Sequence, residues 1–96
     1  MKNELSGQNN NQILSIIIPH FNGEKIIIDC LKSIHKISFK NKEIIIVDNG
    51  STDKSISLIE IQFPEIKIIK SKINLGYAGG CNLGAKHAIG KYLIFL

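Results

Sequence analysis

The 96-residue chain is one domain at most; 44% of it is hydrophobic, 21% is charged and it holds no tryptophan. The formal charge is +4, but every basic residue is a lysine, scattered from Lys2 to Lys91. Without arginine forks for phosphate, and with only 6% aromatic residues for base stacking, this balance excludes a nucleic-acid partner and reads as a lysine-solvated surface.

Met1 to Gln12 is polar and Asn-rich, reads as a flexible leader and lacks the apolar centre of a signal peptide. Isoleucine dominates the aliphatic residues that follow, and its β-branched side chain suits strands covered on both faces. Ile13 to Pro19 is an apolar run that predicts a strand stopping at the proline, which has no N–H for a ladder. Asn22 and Gly23 open a helix with Ile27, Cys30, Leu31 and Ile34 on one face and Lys25, Asp29, Lys32 and Lys36 on the other. Glu43 to Asp48 is a second strand. After an Asn49-Gly50-Ser51 turn, Ser51 or Thr52 is the expected N-cap of a helix of about two or three turns. That helix carries Ile56, Ile59 and Phe63 as its buried stripe and ends at Pro64. Ile66 to Lys70 is a third strand. Ala78, Cys81, Ala85, Ala88 and Ile89 then recur at helical spacing, a narrow face that would let the helix lie close to a sheet. Gly90 is expected to stop it before a fourth strand, Tyr92 to Leu96.

Cys30 and Cys81 have neither metal spacing nor a disulfide framework. Both fall on apolar helix faces, so buried, reduced thiols in a reducing compartment are expected. No apolar run approaches the roughly 20 residues needed to span a bilayer. The expected location is cytoplasmic, with the inner face of the membrane open.

Strands alternating with helices through short loops predict an α/β fold, a Rossmann-like parallel sheet with right-handed crossovers and flanking helices. The expected strand order is 3-2-1-4. Its switch point lies between strands one and four, where ligands sit at the carboxyl ends. Three loops reach that edge: Pro19-His20-Phe21-Asn22-Gly23-Glu24, then Asp48-Asn49-Gly50-Ser51-Thr52-Asp53, then Asn74 to Asn82. Asp48 can accept from the imide N–H of a pyrimidine or from ribose hydroxyls, Phe21 offers a flat face to a base, and Asn74 and Asn82 offer donors and acceptors. Gly76, Gly79 and Gly80 let backbone amides approach a diphosphate near a helix N-terminus.

Each residue also has a plainer role. Asp48 equally suits capping the next turn. Phe21 taken alone suits core packing better than a base contact, and tight helix–sheet contact would also account for the glycines. His20 and His87 have no metal spacing and read as ordinary surface or loop histidines. Three such loops in order on one edge outweigh these separate roles. Other nucleotide and hydrolase signatures fail. The first loop holds only Gly23, Gly84 to Gly90 is mis-spaced for a P-loop, and no G-x-S-x-G occurs.

SIIIPHFNGE, EIIIVDNGSTD and NLGYAGGCN, followed by GKYLIFL, resemble in order and spacing the first four strands of family 2 inverting glycosyltransferases, nearest the rhamnosyltransferase-like bacterial branch. The resemblance covers Ile13 to Leu96 and implies the N-terminal, nucleotide-binding half of a GT-A fold. It implies that Pro19, His20 and Phe21, with Asn22 beside them, wall the base and ribose. Asp48, next to Asn49, would hold the imide N–H. Asn74 and Gly76 would face the nucleotide, and Gly79 and Asn82 would line the donor pocket. Glu24 would reach the ribose. The implied partners are a UDP- or dTDP-sugar donor and a saccharide or glycolipid acceptor. The implied cofactor is Mg²⁺ or Mn²⁺, on an acidic motif expected just after Leu96, with a catalytic base later still. The segment alone is therefore expected to be inactive, and its fourth strand to favour self-association. Two other readings stand beside it: a non-catalytic nucleotide-binding remnant or interaction module from a split gene, and an unrelated α/β nucleotide-binding domain in which Asp48 holds a ribose.

Overall fold

The computed structural model describes residues 13–37 and 41–96; the leader expected over residues 1–12 lies outside them. The elements in chain order are β1 (Leu14–His20), α1 (Glu24–His35), β2 (Lys42–Asp48), α2 (Ser55–Gln62), β3 (Lys67–Lys70), α3 (Gly76–His87) and β4 (Tyr92–Phe95). The sheet order is β3-β2-β1-β4, all parallel, which is the 3-2-1-4 order expected from the alternation.

Period-two alternation sends neighbouring isoleucines to opposite faces. Ile16, Ile18, Ile44 and Ile46 pack beneath α1 and α2, against Ile27, Leu31, Ile34, Ile59 and Phe63. Ile17, Ile45 and Val47 face α3 and meet Leu83, Ala85 and Ala88. This two-sided burial is the reason a near-continuous isoleucine run forms the centre of the sheet. β1 runs one residue past Pro19 to His20. Its pairing with β4 ends at Ile17–Phe95, so no N–H is needed on that side at Pro19. On the other side His20 still accepts from the Asn49 amide at 2.8 Å.

Four expectations are corrected. First, neither Ser51 nor Thr52 caps α2, which begins at Ser55. The Thr52 and Asp53 amides instead donate to Asn22 Oδ1, and Asp53 Oδ1 takes the Ser55 amide. Second, of the stripe expected on α3, Cys81, Ala85 and Ala88 do face the sheet, but Ala78 and Ile89 are exposed. Gly80 and Gly84, residues without a Cβ, make the closest approach. A Cβ on Gly84 would lie 3.1 Å from Val47 Cγ2 and overlap Ile17 Cγ2. Third, α3 ends at His87 with Ala88 already extended, so Gly90 does not stop it. Gly90 is small because Ser15 Oγ and the Ile13 carbonyl fill the space a Cβ would need. Fourth, Cys30 is half-buried; Cys81 is buried as expected, and both thiols are free.

At the amino edge of the sheet Glu43 ties the turn after α3 to three strands. Its Oε2 accepts from the Ser15 hydroxyl at 2.6 Å and the Ile89 amide at 2.7 Å, and its Oε1 meets Lys67 Nζ at 3.1 Å. Burial pulls its pKa up, but Ser15, Ile89 and Lys67 outweigh that, and the carboxyl sits below its ordinary value. β4 lies at the opposite margin from β3, with Tyr92, Leu93, Ile94 and Phe95 all exposed.

Candidate functional site

The loop after β1 departs through two successive left-handed residues, Asn22 at φ 56° and Gly23 at φ 80°. Asparagine tolerates that region and glycine enters it freely. The turn projects Phe21 outward, 52% exposed, and throws Asn22 and Glu24 back onto the loop after β2. Asn22 donates its amide to Ser51 Oγ at 2.8 Å and accepts from Thr52 and Asp53. Glu24 donates its amide to Asp53 Oδ2 at 3.2 Å, and its Oε1 accepts from the Lys54 amide. These two side chains lock one loop to the next. The ribose contact expected of Glu24 competes with that use.

Asn49 plays the same part for the third loop. It is 4% exposed; its Oδ1 accepts from the Leu75 amide at 3.1 Å, and its Nδ2 donates to the Gly76 carbonyl at 3.3 Å. Asn74 Oδ1 in turn accepts from the Gly76 amide at 2.8 Å, and Gly76 has φ 74°, so this turn needs both residue types.

The clasped loops surround a hollow of about 280 Å³ lined by Pro19, His20, Phe21, Asn49, Asn74, Gly76 and Tyr77. A second hollow of about 380 Å³ opens on the other flank of Phe21, towards Ile26, Cys30 and Leu96. Six of the residues singled out in the sequence thus converge on one space. Gly79 and Asn82 do not line it: a Cβ on Gly79 would lie 2.8 Å from Leu75 Cβ, and Asn82 is exposed on α3. Asp48 does not line it either: it is 6% exposed, at the end of β2 as the register partner of His20. Its Oδ1 accepts from the Ser51 amide at 3.0 Å, so it does cap its turn.

His20 is not a loop histidine. It is 8% exposed at the end of β1, on the α1/α2 face, with Nε2 2.9 Å from Ser55 Oγ. Burial lowers its pKa below the ordinary 6.5, against the opposing pull of the Asp48 and Asp53 carboxylates. The Ser55 hydroxyl and then the Ser55, Glu24 and Gly23 amides hold Asp53 below its ordinary value, outweighing burial. Ser55 was missed in the sequence, and Asp53 and Tyr77 were named within their loops but given no role. Ser55 carried no signal beyond its place two residues after Asp53. Tyr77 sat in plain view between Gly76 and Ala78, and it is 59% exposed at the hollow.

The side chains of the described residues do not fit a divalent cation. Among the described residues no three His, Cys, Asp or Glu side chains gather as ligands. Asp48 and Asp53 each already accept from backbone amides.

Taken together, a doubly wound parallel sheet with its polar loops clasped at one carboxyl edge defines a Rossmann-like α/β domain. The chain belongs to glycosyl transferase family 2, whose sequence model matches residues 15–96. An uncharacterized glycosyltransferase of Rickettsia conorii is 43% identical over 91% of this chain and 15% of its own length. The Escherichia coli enzyme WfgD, a UDP-Glc:alpha-D-GlcNAc-diphosphoundecaprenol beta-1,3-glucosyltransferase, is 31% identical over 88% of this chain and 34% of its own. Among solved structures, S. aureus TarS 1–349 in complex with UDP-GlcNAc superposes with a TM-score of 0.81 at 29% identity, over 88% of this chain and 26% of that one. A Pyrobaculum calidifontis mannosyltransferase in complex with GDP-Man and Mn²⁺ shares the fold, with a TM-score of 0.76 at 23% identity. The chain spans about a seventh to about a third of the relatives it matches.

Proposed function

We propose that these residues bind the nucleotide of a UDP- or dTDP-linked sugar in an inverting transferase acting on a saccharide or glycolipid acceptor. The observation that carries this reading is the hollow lined by Pro19, His20, Phe21, Asn49, Asn74 and Gly76, with Asp48 the register partner of His20 on the neighbouring strand. Phe21 and Tyr77 expose two aromatic faces to a base, and Asp48 supplies a carboxylate suited to an imide N–H. The α3 N-terminus, opened by Gly76, favours the diphosphate. Relatives named for UDP-Glc and a neighbour solved with UDP-GlcNAc support the uridine side of this choice. The diphosphoundecaprenol-linked acceptor in the WfgD name supports a glycolipid acceptor. No helix among the described residues is long and apolar enough to cross one.

The described residues gather no set of three His, Cys, Asp or Glu side chains for the divalent metal that the family implies. In this reading residues 1–96 alone therefore bind without transferring, since the group that would neutralise the leaving diphosphate is not on them. Calorimetric titration with UDP, dTDP, ADP and GDP tests the reading. The expected result is a clear preference for the pyrimidine diphosphates, and equal binding of all four would sink it. Sugar transfer by the isolated 96 residues would overturn the claim of inactivity.

A further inference from the structure

Ser55 has one hydroxyl proton and two close partners. Its Oγ lies against Asp53 Oδ1 and 2.9 Å from His20 Nε2. A carboxylate only accepts, so the serine proton goes to Asp53 and the serine lone pair faces the imidazole. Nε2 must then carry the ring proton. A neutral imidazole protonated at Nε2 presents a bare Nδ1, which is an acceptor. This tautomer follows from the partners. Burial, which lowers the His20 pKa, keeps the ring neutral. Nδ1 has no hydrogen-bond partner among the described residues.

His20 lines both hollows beside Phe21, and its backbone is the register partner of Asp48 on the neighbouring strand. The two side chains leave the same face of the sheet, and the Asp48 carboxylate is near enough to act on the imidazole electrostatically, so a charged and a neutral acceptor share this end of the ladder. A uridine diphosphate at neutral pH offers only its imide N–H and its ribose hydroxyls as donors, because the diphosphate accepts. With Asp48 assigned to the imide, a ribose hydroxyl is the donor left for the second acceptor.

We propose that Asp53 and Ser55 lock His20 in its Nε2–H tautomer, so that Nδ1 accepts a hydrogen bond from a ribose hydroxyl of the bound nucleotide. The proposal rests on the nucleotide-binding reading above. It makes His20 a specificity residue, with Ser55 and Asp53 as positioning residues.

The test has two arms on the full chain. Nitrogen-15 spectra of the imidazole, without ligand, are expected to show a protonated Nε2 and a bare Nδ1, and Ser55→Ala is expected to mix the tautomers. A protonated Nδ1 in the unaltered protein overturns the proposal whatever binds. The second arm titrates UDP and its 2′-deoxy and 3′-deoxy analogues into the unaltered protein, His20→Gln and His20→Asn. Glutamine keeps a donor near the Nε2 position but no Nδ1 acceptor, whereas asparagine places a carbonyl oxygen near Nδ1. His20→Gln is expected to weaken UDP binding about three- to tenfold, with His20→Asn retaining more of it. One deoxy analogue is expected to lose the same factor on the unaltered protein and nothing further on His20→Gln. Equal weakening for all three ligands, or none, overturns the proposal alone. Failure of the unaltered protein to bind any uridine nucleotide overturns the reading beneath it.

Discussion

The Asp48 carboxylate has two oxygens, and the fold occupies one of them: Oδ1 accepts the Ser51 amide at 3.0 Å. Capping and ligand binding are therefore compatible, and one substitution separates them. In Asp48→Asn the amide oxygen keeps the Ser51 bond, while an NH₂ donor replaces the second oxygen and opposes an imide N–H. UDP affinity is expected to fall about ten- to a hundredfold, the scale of one hydrogen bond to a charged group, with little change in melting temperature. Unchanged affinity by calorimetry would reduce Asp48 to a turn cap. His20 carries a pH prediction of its own. Its folded pKa lies below the unfolded 6.5, so between the two values the unfolded chain binds more protons and stability rises with pH. The contribution is whole above about 6.5 and is lost as pH falls through the window beneath it. Urea midpoints across that window should fall less in His20→Gln than in the unaltered protein, and identical slopes would refute the assignment. The sequence revealed these residues unevenly. Asp48 and Phe21 announced themselves by type and by place after a strand. The burial of His20 did not, because it depends on Ser55, 35 positions away and reached only through the fold.

At the scale of elements, α3 shows what a hydrophobic pattern can and cannot carry. Small residues at helical spacing signalled a helix lying close to a sheet, and the helix is there. Its facing was legible in Cys81, Ala85 and Ala88, but the contact made by Gly80 and Gly84 was not, because glycine carries no apolar weight. The α2 start was misread for a related reason. The Thr52 and Asp53 amides have a partner on another loop, the Asn22 side chain, which no local cap rule can see. The packing role of Gly84 leads to a direct test. Gly84→Ala adds helix propensity but drives a methyl into Ile17 and Val47, and overpacking of this kind costs about 1–3 kcal/mol. Lys86→Ala, on the exposed side of the same helix, should stay within about 0.5 kcal/mol of the unaltered protein. Denaturant unfolding of the pair checks both values. Equal stability of the two variants would show that α3 can lift from the sheet without loss.

For the whole molecule, the alternation of strand and helix was enough to order the sheet, because short crossovers leave few right-handed parallel arrangements. What it left open is how each margin is covered. β2 and β1 are buried on both faces, whereas β4 closes the sheet with Tyr92, Leu93, Ile94 and Phe95 between 40% and 53% exposed, and Leu96 beside them at 51%. A parallel edge strand with apolar side chains exposed on both faces has unpaired backbone groups and apolar surface to offer together. No lysine, proline or bulge blunts it between Tyr92 and Leu96. The 96-residue chain is therefore expected to associate with itself as concentration rises, through this margin and not through the loops at the carboxyl edge. Light scattering over a concentration series should show a growing apparent mass. Ile94→Lys, which places a charge at the middle of the strand, should move the onset to higher concentration while leaving UDP affinity in place. A constant monomer mass across the series would sink the expectation. An Ile94→Lys variant that associates as readily as the unaltered chain would move the contact elsewhere.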